Sequence, residues 1–234
     1  MTGDKACKEG GFCPVCDSCV SEWLPLNRLV GDGVYRKEPE GRLCPVCASF
    51  ERTRHFWMYI EKAGILKENA SMLHVAPEKG LEARLRPMLG KNYITADLLK
   101  KNVDYNVDLT DLPFADNSFD FIYCSNVLEH IHNDAKAMSE LYRVLKEGGM
   151  AYIQVPIDGA NTQYDPIVTS PAERTRLYGQ ADHVRMYGRD ISVSLTQVGF
   201  SVQEIIMPDF LGIDADLQKY YNCAKREMVH FCYK

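Results

Sequence analysis

Four cysteines near the start of the chain stand in two matched pairs. The pairs read "FCPVC" (Cys13 and Cys16) and "LCPVC" (Cys44 and Cys47). Two C-x-x-C turns allow four thiolates to converge on one tetrahedral zinc ion. Because four thiolates leave no open coordination position, we expect a structural Zn²⁺ that holds the fold and takes no part in chemistry.

Two further cysteines, Cys7 and Cys19, lie close to the first pair. Only two thiolates are needed there, so we take Cys19 as a spare, although either residue could replace one of the four ligands. Disulfides rarely persist in reducing compartments, and we expect the remaining cysteines to be free thiols. A thioredoxin-like redox site is the alternative, but it does not explain two C-x-x-C turns.

Acidic residues follow predicted strands further along the chain. Asp97 ends "YITAD", and Asp108 opens "DLTDLPFADNSFD". A carboxylate at Asp97 can accept both ribose hydroxyls of an adenosine. Asp108 could accept from an exocyclic amine, while Leu109 and Leu112 pack on a base. The sequence has no glycine-rich phosphate loop with a Lys-Ser/Thr pair, so the pattern indicates a pocket for an adenosine without phosphates.

Asp97 and Asp108 can act at one site only if the fold brings the ends of their strands together. Alternating hydrophobic patterns predict strands at 72–76, 92–96, 105–109, 119–124 and 149–155, with helices at 51–66, from 79 and at 134–146. The helix at 134–146 has Asn133 or Asp134 as N-cap and Gly148 as C-cap. Such alternation predicts an α/β fold with a mostly parallel, doubly wound sheet, which binds its ligand at the carboxyl ends of the strands.

Composition limits the function classes. The chain has 234 residues, 46% hydrophobic and 25% charged, with a net charge of −5. This balance is typical of a globular protein, and the acidic charge argues against a main role in binding nucleic acid. No membrane-spanning run or secretory signal is evident, so we expect a cytoplasmic protein without membrane contact. The oligomeric state is not predicted.

Three stretches in order resemble a known family. "YITADL" (93–98), "DLTDLPFADNSFDFIYCSNVLEHIHND" (108–134) and "ELYRVLKEGGMAYIQVP" (140–156) resemble the class I S-adenosylmethionine-dependent methyltransferases, in their methyltransferase type 11 branch. The resemblance extends to a subgroup with a front zinc ribbon, through "CPVCASFERTR", "LHVAPE" and "YGQADHVRMYG". It implies a seven-stranded Rossmann-like sheet and S-adenosylmethionine as the cofactor.

The resemblance also implies a set of cofactor-binding residues. Loop 74–80 would border the methionine part, Asp97 the ribose and Asp108 the adenine, with Asn126 beside the sulfonium. The full set is His74, Ala76, Glu78, Gly80, Asp97, Leu98, Asp108, Leu109 and Asn126. The first loop departs from the family, because His74 stands where an acid is usual. We therefore predict that the Glu78 carboxylate, four positions on, binds the ammonium of the methionine tail.

The polar segment at about 157–190 is predicted to be an insertion that covers the substrate. His183 is a candidate general base, because an imidazole titrates near neutral pH, and His130 is a second candidate. Arg185 or Arg174 could clamp an anionic group. The predicted acceptor-binding residues are Gln163, Tyr164, Arg174, Gln180, Arg185 and Tyr187. The alternative is a solvated lid with internal ion pairs, such as Asp182 with Arg185.

The sequence as a whole predicts a zinc-ribbon module at 1–50 and a methyltransferase domain at 51–234. The predicted function is methyl transfer from S-adenosylmethionine to a small-molecule or sugar-like acceptor, with oxygen as the expected methylated atom. An RNA-modifying methyltransferase that uses its ribbon to hold nucleic acid is one alternative. A non-catalytic binding module that keeps the fold is another, and the two acids Asp97 and Asp108 argue against it.

Overall fold

The structure is a computed structural model that describes Cys7 and residues 10–29, 35–67, 69–223 and 227–234. Its strands, in chain order, are β1 Gly11–Cys13, β2 Ser18–Val20, β3 Leu24–Leu29, β4 Tyr35–Leu43, β5 Met72–Val75, β6 Tyr93–Asp97, β7 Tyr105–Asn106, β8 Phe119–Ser125, β9 Leu145–Gln154, β10 Gln163–Tyr164, β11 Arg185–Met186, β12 Ser201–Ile206 and β13 Met228–Tyr233. Its α-helices are α1 Glu51–Ala63, α2 Lys79–Leu89, α3 Asp134–Val144, α4 Pro171–Tyr178, α5 Ile191–Gln197, α6 Met207–Leu211 and α7 Ala215–Tyr221.

A seven-stranded sheet forms the centre of the protein. Its strand order is β12-β13-β9-β8-β5-β6-β7. Strands β7, β6, β5, β8 and β9 pair in parallel, whereas β13 pairs antiparallel with both β9 and β12. From β5 the chain adds β6 and β7 on one side and then returns to add β8 on the other side. An open α/β sheet binds its ligand at such a reversal of strand order, here between β5 and β8. The predicted fold class is confirmed.

The two faces of the sheet carry separate hydrophobic clusters, because successive side chains of a strand point to opposite faces. On one face Leu73 and Ile122 pack with helices α3 and α5. On the other face Met72 and Tyr123 pack with α1, α2, the hairpin β1-β2 and the second cysteine pair. The predicted ribbon of short strands is therefore part of the layer that covers this face.

Several predicted elements differ in extent: α1 ends at Ala63 and not at residue 66, and β9 spans Leu145–Gln154 and not 149–155. Helix α3 begins after Asn133, whose side chain accepts from Lys136 N, as predicted, but it ends at Val144. Leu145 is extended and pairs with Phe119, so strand pairing ends the helix before Gly148, which is not the C-cap. Strand β7 has two residues, shorter than the predicted 105–109.

The insertion after β9 is folded. It contains the small hairpin of β10 and β11 and the helix α4, and Ile157 bridges to Tyr187 at its base. Within the part of the chain that the structure describes, no helix is long and apolar enough to cross a membrane.

Candidate active site

A cavity of about 500 Å³ opens at the carboxyl ends of β5, β6 and β8. Most of the predicted cofactor residues line it: Ala76, Asp97, Leu98, Asp108, Leu109 and Asn126. Leu109 and Leu112 are almost fully buried in its wall, which gives it an apolar slot next to the carboxylate of Asp108. The acids after the strands and the apolar residues between them therefore lie at one site.

Asp97 is held in place by its own loop. One carboxylate oxygen, Oδ1, accepts from the backbone N–H groups of Leu99 at 2.7 Å and Lys100 at 2.8 Å. The Lys100 ammonium lies 3.7 Å from Oδ2 and donates to the carbonyl of Pro77 at 2.7 Å. A carboxylate fixed in this way is oriented before any ligand binds, and Oδ2 is the oxygen that can take a ribose hydroxyl.

Asp108 is oriented in the same manner. Its Oδ1 accepts from the backbone N–H and the hydroxyl of Thr110, each at 2.8 Å. These contacts use one oxygen and direct the carboxylate towards the cavity that Leu109 lines.

His74, on β5, forms a hydrogen bond with the loop that follows this strand. The backbone N–H of Glu78 donates to Nε2 at 3.4 Å, so Nδ1 carries the proton and donates to the Tyr93 hydroxyl oxygen at 2.6 Å. Burial, reinforced by the positive charge of Lys100, lowers the pKa of His74 to about 3 and keeps the ring neutral. Next in the loop, Ala76 has a φ of 52°, a left-handed conformation that an alanine rarely adopts.

A second recess, of about 690 Å³, continues from the cavity, since Ala76, Lys100 and Asn126 line both. It contains the predicted residue Glu78, whose carboxylate pairs with Arg52 at 2.6 Å and accepts from the hydroxyl of Thr53. The recess thus offers one anion and one cation side by side, a match for the ammonium and carboxylate of an amino acid.

Arg52 was not among the predicted site residues. Helix α1 carries it, and a charged side chain on an amphipathic helix usually faces solvent. A signal was present in the sequence: Arg52 comes five positions after Cys47, and a packed cysteine turn restricts where the next helix begins. Gly80, predicted to border the cofactor, instead faces Cys47, where an added Cβ would lie 2.8 Å from the Cys47 carbonyl oxygen.

A third cavity, of about 680 Å³, meets the other two at Asn126. Its polar walls come from Arg42, Glu51, Arg52, Gln154, Arg189 and Glu227. Asn126 has a φ of 55° and follows β8 directly, so a sharp backbone turn places it at the junction. This cavity could hold a polar acceptor next to the cofactor.

The six predicted acceptor residues lie elsewhere. Among the described residues that line these three cavities, the insertion contributes Ile157, Gly159, Ala160, Asp182 and Arg189, and none of the six. Arg185 pairs with Asp134 and donates to the carbonyls of Ile131 and His132, each at 2.8 Å.

The other five predicted acceptor residues also lie outside the three cavities. Tyr187 is buried and donates to Asp134 at 2.6 Å, and Arg174 donates to the Val168 carbonyl at 3.2 Å. Gln163 and Tyr164 are exposed on β10, and Gln180 follows helix α4. Their roles in acceptor binding stay predictions.

The two candidate bases lie against each other. The rings of His130 and His183 are T-shaped with centroids 4.8 Å apart. His130 lines the cofactor cavity, whereas His183 is 2% exposed and its Nδ1 donates to the Tyr178 carbonyl at 2.8 Å. Asp182 pairs with His130 at 3.5 Å, not with Arg185 as the sequence suggested.

The four predicted zinc ligands converge. The Sγ atoms of Cys13 and Cys47 are 3.7 Å apart, as are those of Cys16 and Cys44, and all four atoms lie within 4.8 Å of one another. Four thiolates at about 2.3 Å from a zinc ion lie about 3.8 Å apart. The spacing therefore fits a tetrahedral Zn²⁺ site.

Cys7 and Cys19 form a disulfide. Cys19 is thus outside the four-cysteine cluster, but the expectation that both would be free thiols was wrong. The hairpin of β1 and β2 holds Cys19 opposite Phe12, facing away from the cluster, so it is placed to meet a cysteine from the preceding segment.

Comparison with known proteins adds a family match. Residues 71–153 match a family model described as a methyltransferase domain. A sterol 24-C-methyltransferase of Yarrowia lipolytica is 33% identical over 123 residues, which cover 50% of this chain and 30% of that protein. The match thus spans less than a third of that relative's length.

Solved structures share the fold. The YcgJ protein of Bacillus subtilis has a TM-score of 0.51 at 18% identity, covering 77% of this chain and 99% of that one. A 1,6-didemethyltoxoflavin-N1-methyltransferase of Burkholderia thailandensis, with 1,6-didemethyltoxoflavin and S-adenosylhomocysteine bound, has a TM-score of 0.52 at 13% identity, covering 79% of each chain. At these identities the likeness concerns the fold alone.

Proposed function

We propose that this chain, which carries a methyltransferase domain over residues 71–153, transfers the methyl group of S-adenosylmethionine to a small polar acceptor. The observation that carries the proposal is the continuous cavity from Asp108 to Glu78. It has an apolar slot with a carboxylate at one end, a fixed carboxylate in the middle and an ion pair at the other end. These match an adenine, a ribose and a zwitterionic amino acid.

Each part of the cavity has one task in this proposal. Leu109 and Asp108 hold the adenine, and Asp97 accepts the ribose hydroxyls. Glu78 takes the ammonium of the methionine tail and Arg52 its carboxylate, so their mutual ion pair is replaced by two charge-matched contacts. When bound, the cofactor supplies a methyl group already activated by its sulfonium.

Because the methyl group is activated, the protein contributes chiefly alignment and exclusion of water. Asn126 stands where the cofactor cavity meets the 680 Å³ acceptor cavity, so it would border the transferring methyl group. Relatives named as C-methyltransferases and N-methyltransferases leave the acceptor atom open, and we keep oxygen as our proposal. A hydroxyl acceptor needs a base, for which His183 and His130 are the candidates.

We also infer that Cys13, Cys16, Cys44 and Cys47 hold one structural zinc ion. The mutual spacing of the four sulfur atoms supports this inference. The site is closed, so it stabilises the ribbon and does not take part in methyl transfer.

Calorimetric titration with S-adenosylhomocysteine tests the cofactor site. The native chain should bind it, and Asp97→Asn and Glu78→Gln should each weaken binding about tenfold or more, because each removes a charge-assisted hydrogen bond worth about 1.5–3 kcal/mol. Asp216→Asn, an exposed carboxylate on α7, is the matched control and should bind as the native chain does. Absence of binding by the native chain, or native affinity in both variants, would refute the proposal.

A further inference from the structure

A cluster of three side chains lies beside the cofactor cavity and has no part in the proposed cofactor contacts. Glu129 and His130 belong to the 3₁₀ turn Leu128–His130 that follows β8, and His183 comes from the insertion. The backbone N–H of Val184 donates to the carbonyl of Glu129 at 2.9 Å, which holds the insertion on the turn. The cluster is thus fixed by two separate parts of the chain.

Glu129 is deeply buried. It is 1% exposed, and neither carboxylate oxygen has a hydrogen-bond partner among the described residues. A buried carboxylate that lacks a partner costs several kcal/mol, and proteins normally offset that cost with a cation. One of its carboxylate oxygens lies within 4.8 Å of a ring nitrogen of each of the two histidines.

Both histidines have their Nδ1 atoms directed at oxygen acceptors. Nδ1 of His183 lies 2.8 Å from the Tyr178 carbonyl, which can only accept, so Nδ1 carries the proton and Nε2 the lone pair. Nδ1 of His130 lies 3.3 Å from the Asp182 carbonyl and 3.5 Å from its carboxylate. Histidines that bind metals are usually oriented in this way, with the second nitrogen donating to a carbonyl or carboxylate.

We propose that Glu129, His130 and His183 bind one divalent transition-metal ion at the wall of the cofactor cavity. One donor atom from each residue lies within 4.8 Å of the other two. Donors about 2.1 Å from a metal lie about 3.4 Å apart, a gap that rotation of the half-exposed His130 can close. Two imidazoles and one carboxylate suit Zn²⁺, Fe²⁺ and Co²⁺, and three protein ligands leave coordination positions open towards the cavity.

An acceptor that reaches past Asn126, which lines both the acceptor cavity and the cofactor cavity, would meet this ion, a consequence that rests on the proposed methyl transfer. With the ion bound, the two histidines would act as its ligands and not as bases. An acceptor hydroxyl bound to the ion would lose its proton to solvent, since a divalent cation strongly lowers the pKa of a bound hydroxyl. The oxygen lone pair would then form the O–C bond while the C–S bond breaks and the sulfur keeps the electron pair. Metal binding itself does not depend on this step.

Cobalt titration of the zinc-loaded full chain tests the site. Co²⁺ in a nitrogen and oxygen site gives visible d–d absorption without the thiolate-to-cobalt charge-transfer band that exchange into the four cysteines would produce. We expect one such Co²⁺ per chain in the native protein. Glu129→Gln and His130→Asn should each lose it, whereas His132→Asn, an exposed histidine two positions away, should keep it.

Binding of S-adenosylhomocysteine by the native chain, measured on the same samples, separates the two proposals, and thermal unfolding reports that the variants are folded. Cofactor binding without cobalt binding in the native chain would overturn the metal site and leave the cofactor site standing. Cobalt binding without cofactor binding in the native chain would overturn the cofactor site and leave the metal site standing. Cobalt binding that persists in both Glu129→Gln and His130→Asn would also overturn this metal site.

Discussion

His55 and Glu227 form a buried ion pair that joins helix α1 to the start of β13. His55 is 0% exposed, and its Nδ1 bonds to one carboxylate oxygen of Glu227. The other oxygen accepts from Gln154 Nε2 at 2.6 Å, so the pair also fixes a wall of the acceptor cavity. Burial opposes a charged imidazole, but hydrogen bonds to Cys223 and Glu227 outweigh it and raise the pKa of His55 to about 10.

This pair predicts a pH dependence of stability. A histidine whose pKa is raised on folding stabilises the folded state fully below the unfolded value of 6.5, and this contribution disappears as the pH rises through about 10. His55→Gln should therefore lower the free energy of unfolding by about 3–5 kcal/mol near pH 6, because it leaves a buried carboxylate unpaired. The difference from the native chain should shrink towards pH 10.

Urea denaturation of both proteins across this pH range measures that difference. His132→Gln is the control, since its side chain is exposed and its substitution should change stability little at any pH. A difference between native and His55→Gln proteins that stays constant with pH would contradict the assigned pKa.

Part of the candidate site could be predicted from the residue types in the sequence, and part could not. Asp97 and Asp108 were predictable because the hydrophobic pattern of a strand shows where the strand ends. A carboxylate at the carboxyl end of a parallel strand is well placed to bind a ligand. Arg52 was not, because its role depends on a contact with Glu78 across 26 positions of sequence, and charge on a helix normally indicates solvent. Long-range pairs of this kind leave no local pattern to read.

At the scale of elements, the second cysteine pair packs directly on the first turn of α2. An added Cβ at Gly80 would lie 2.8 Å from the Cys47 carbonyl oxygen and 3.2 Å from its sulfur. The glycine thus permits close approach of the second cysteine pair, and its predicted contact with a cofactor stays a prediction. Glycine positions could be read from the sequence, but the neighbour that each glycine admits depends on how the elements pack.

Gly80→Ala should therefore destabilise the protein, although glycine to alanine in a helix usually stabilises it. The clash is with backbone and with a metal ligand, neither of which can move freely, so we expect a loss of about 1–3 kcal/mol and weaker zinc retention. Thermal unfolding and a zinc release assay measure the two effects. Lys79→Ala, an exposed neighbour in the same turn, is the control, and a Gly80→Ala protein as stable as that control would contradict the contact.

At the scale of the whole molecule, the ribbon and the sheet share one hydrophobic cluster. Cys13, Val20 and Cys44 pack in the same cluster as α1, α2 and the sheet residue Tyr123. Arg54 is fully buried between these parts, and it donates to the Ser49 carbonyl at 2.7 Å and to the Asn222 carbonyl at 2.5 Å. The division into modules 1–50 and 51–234 stays a prediction, but the ribbon is packed as a layer of the fold.

This packing would couple the proposed zinc ion to the proposed cofactor site. The ribbon holds the start of α1, which carries Arg52, and the start of α2, which follows Glu78, so both charges that face the methionine tail depend on it. Removal of zinc should therefore weaken binding of S-adenosylhomocysteine, by about tenfold if the Arg52 and Glu78 contacts loosen together. Calorimetry on zinc-free protein measures this, and restoration of native affinity by added Zn²⁺ is the control. Unchanged affinity in the zinc-free chain would show that the ribbon and the cofactor site are energetically independent.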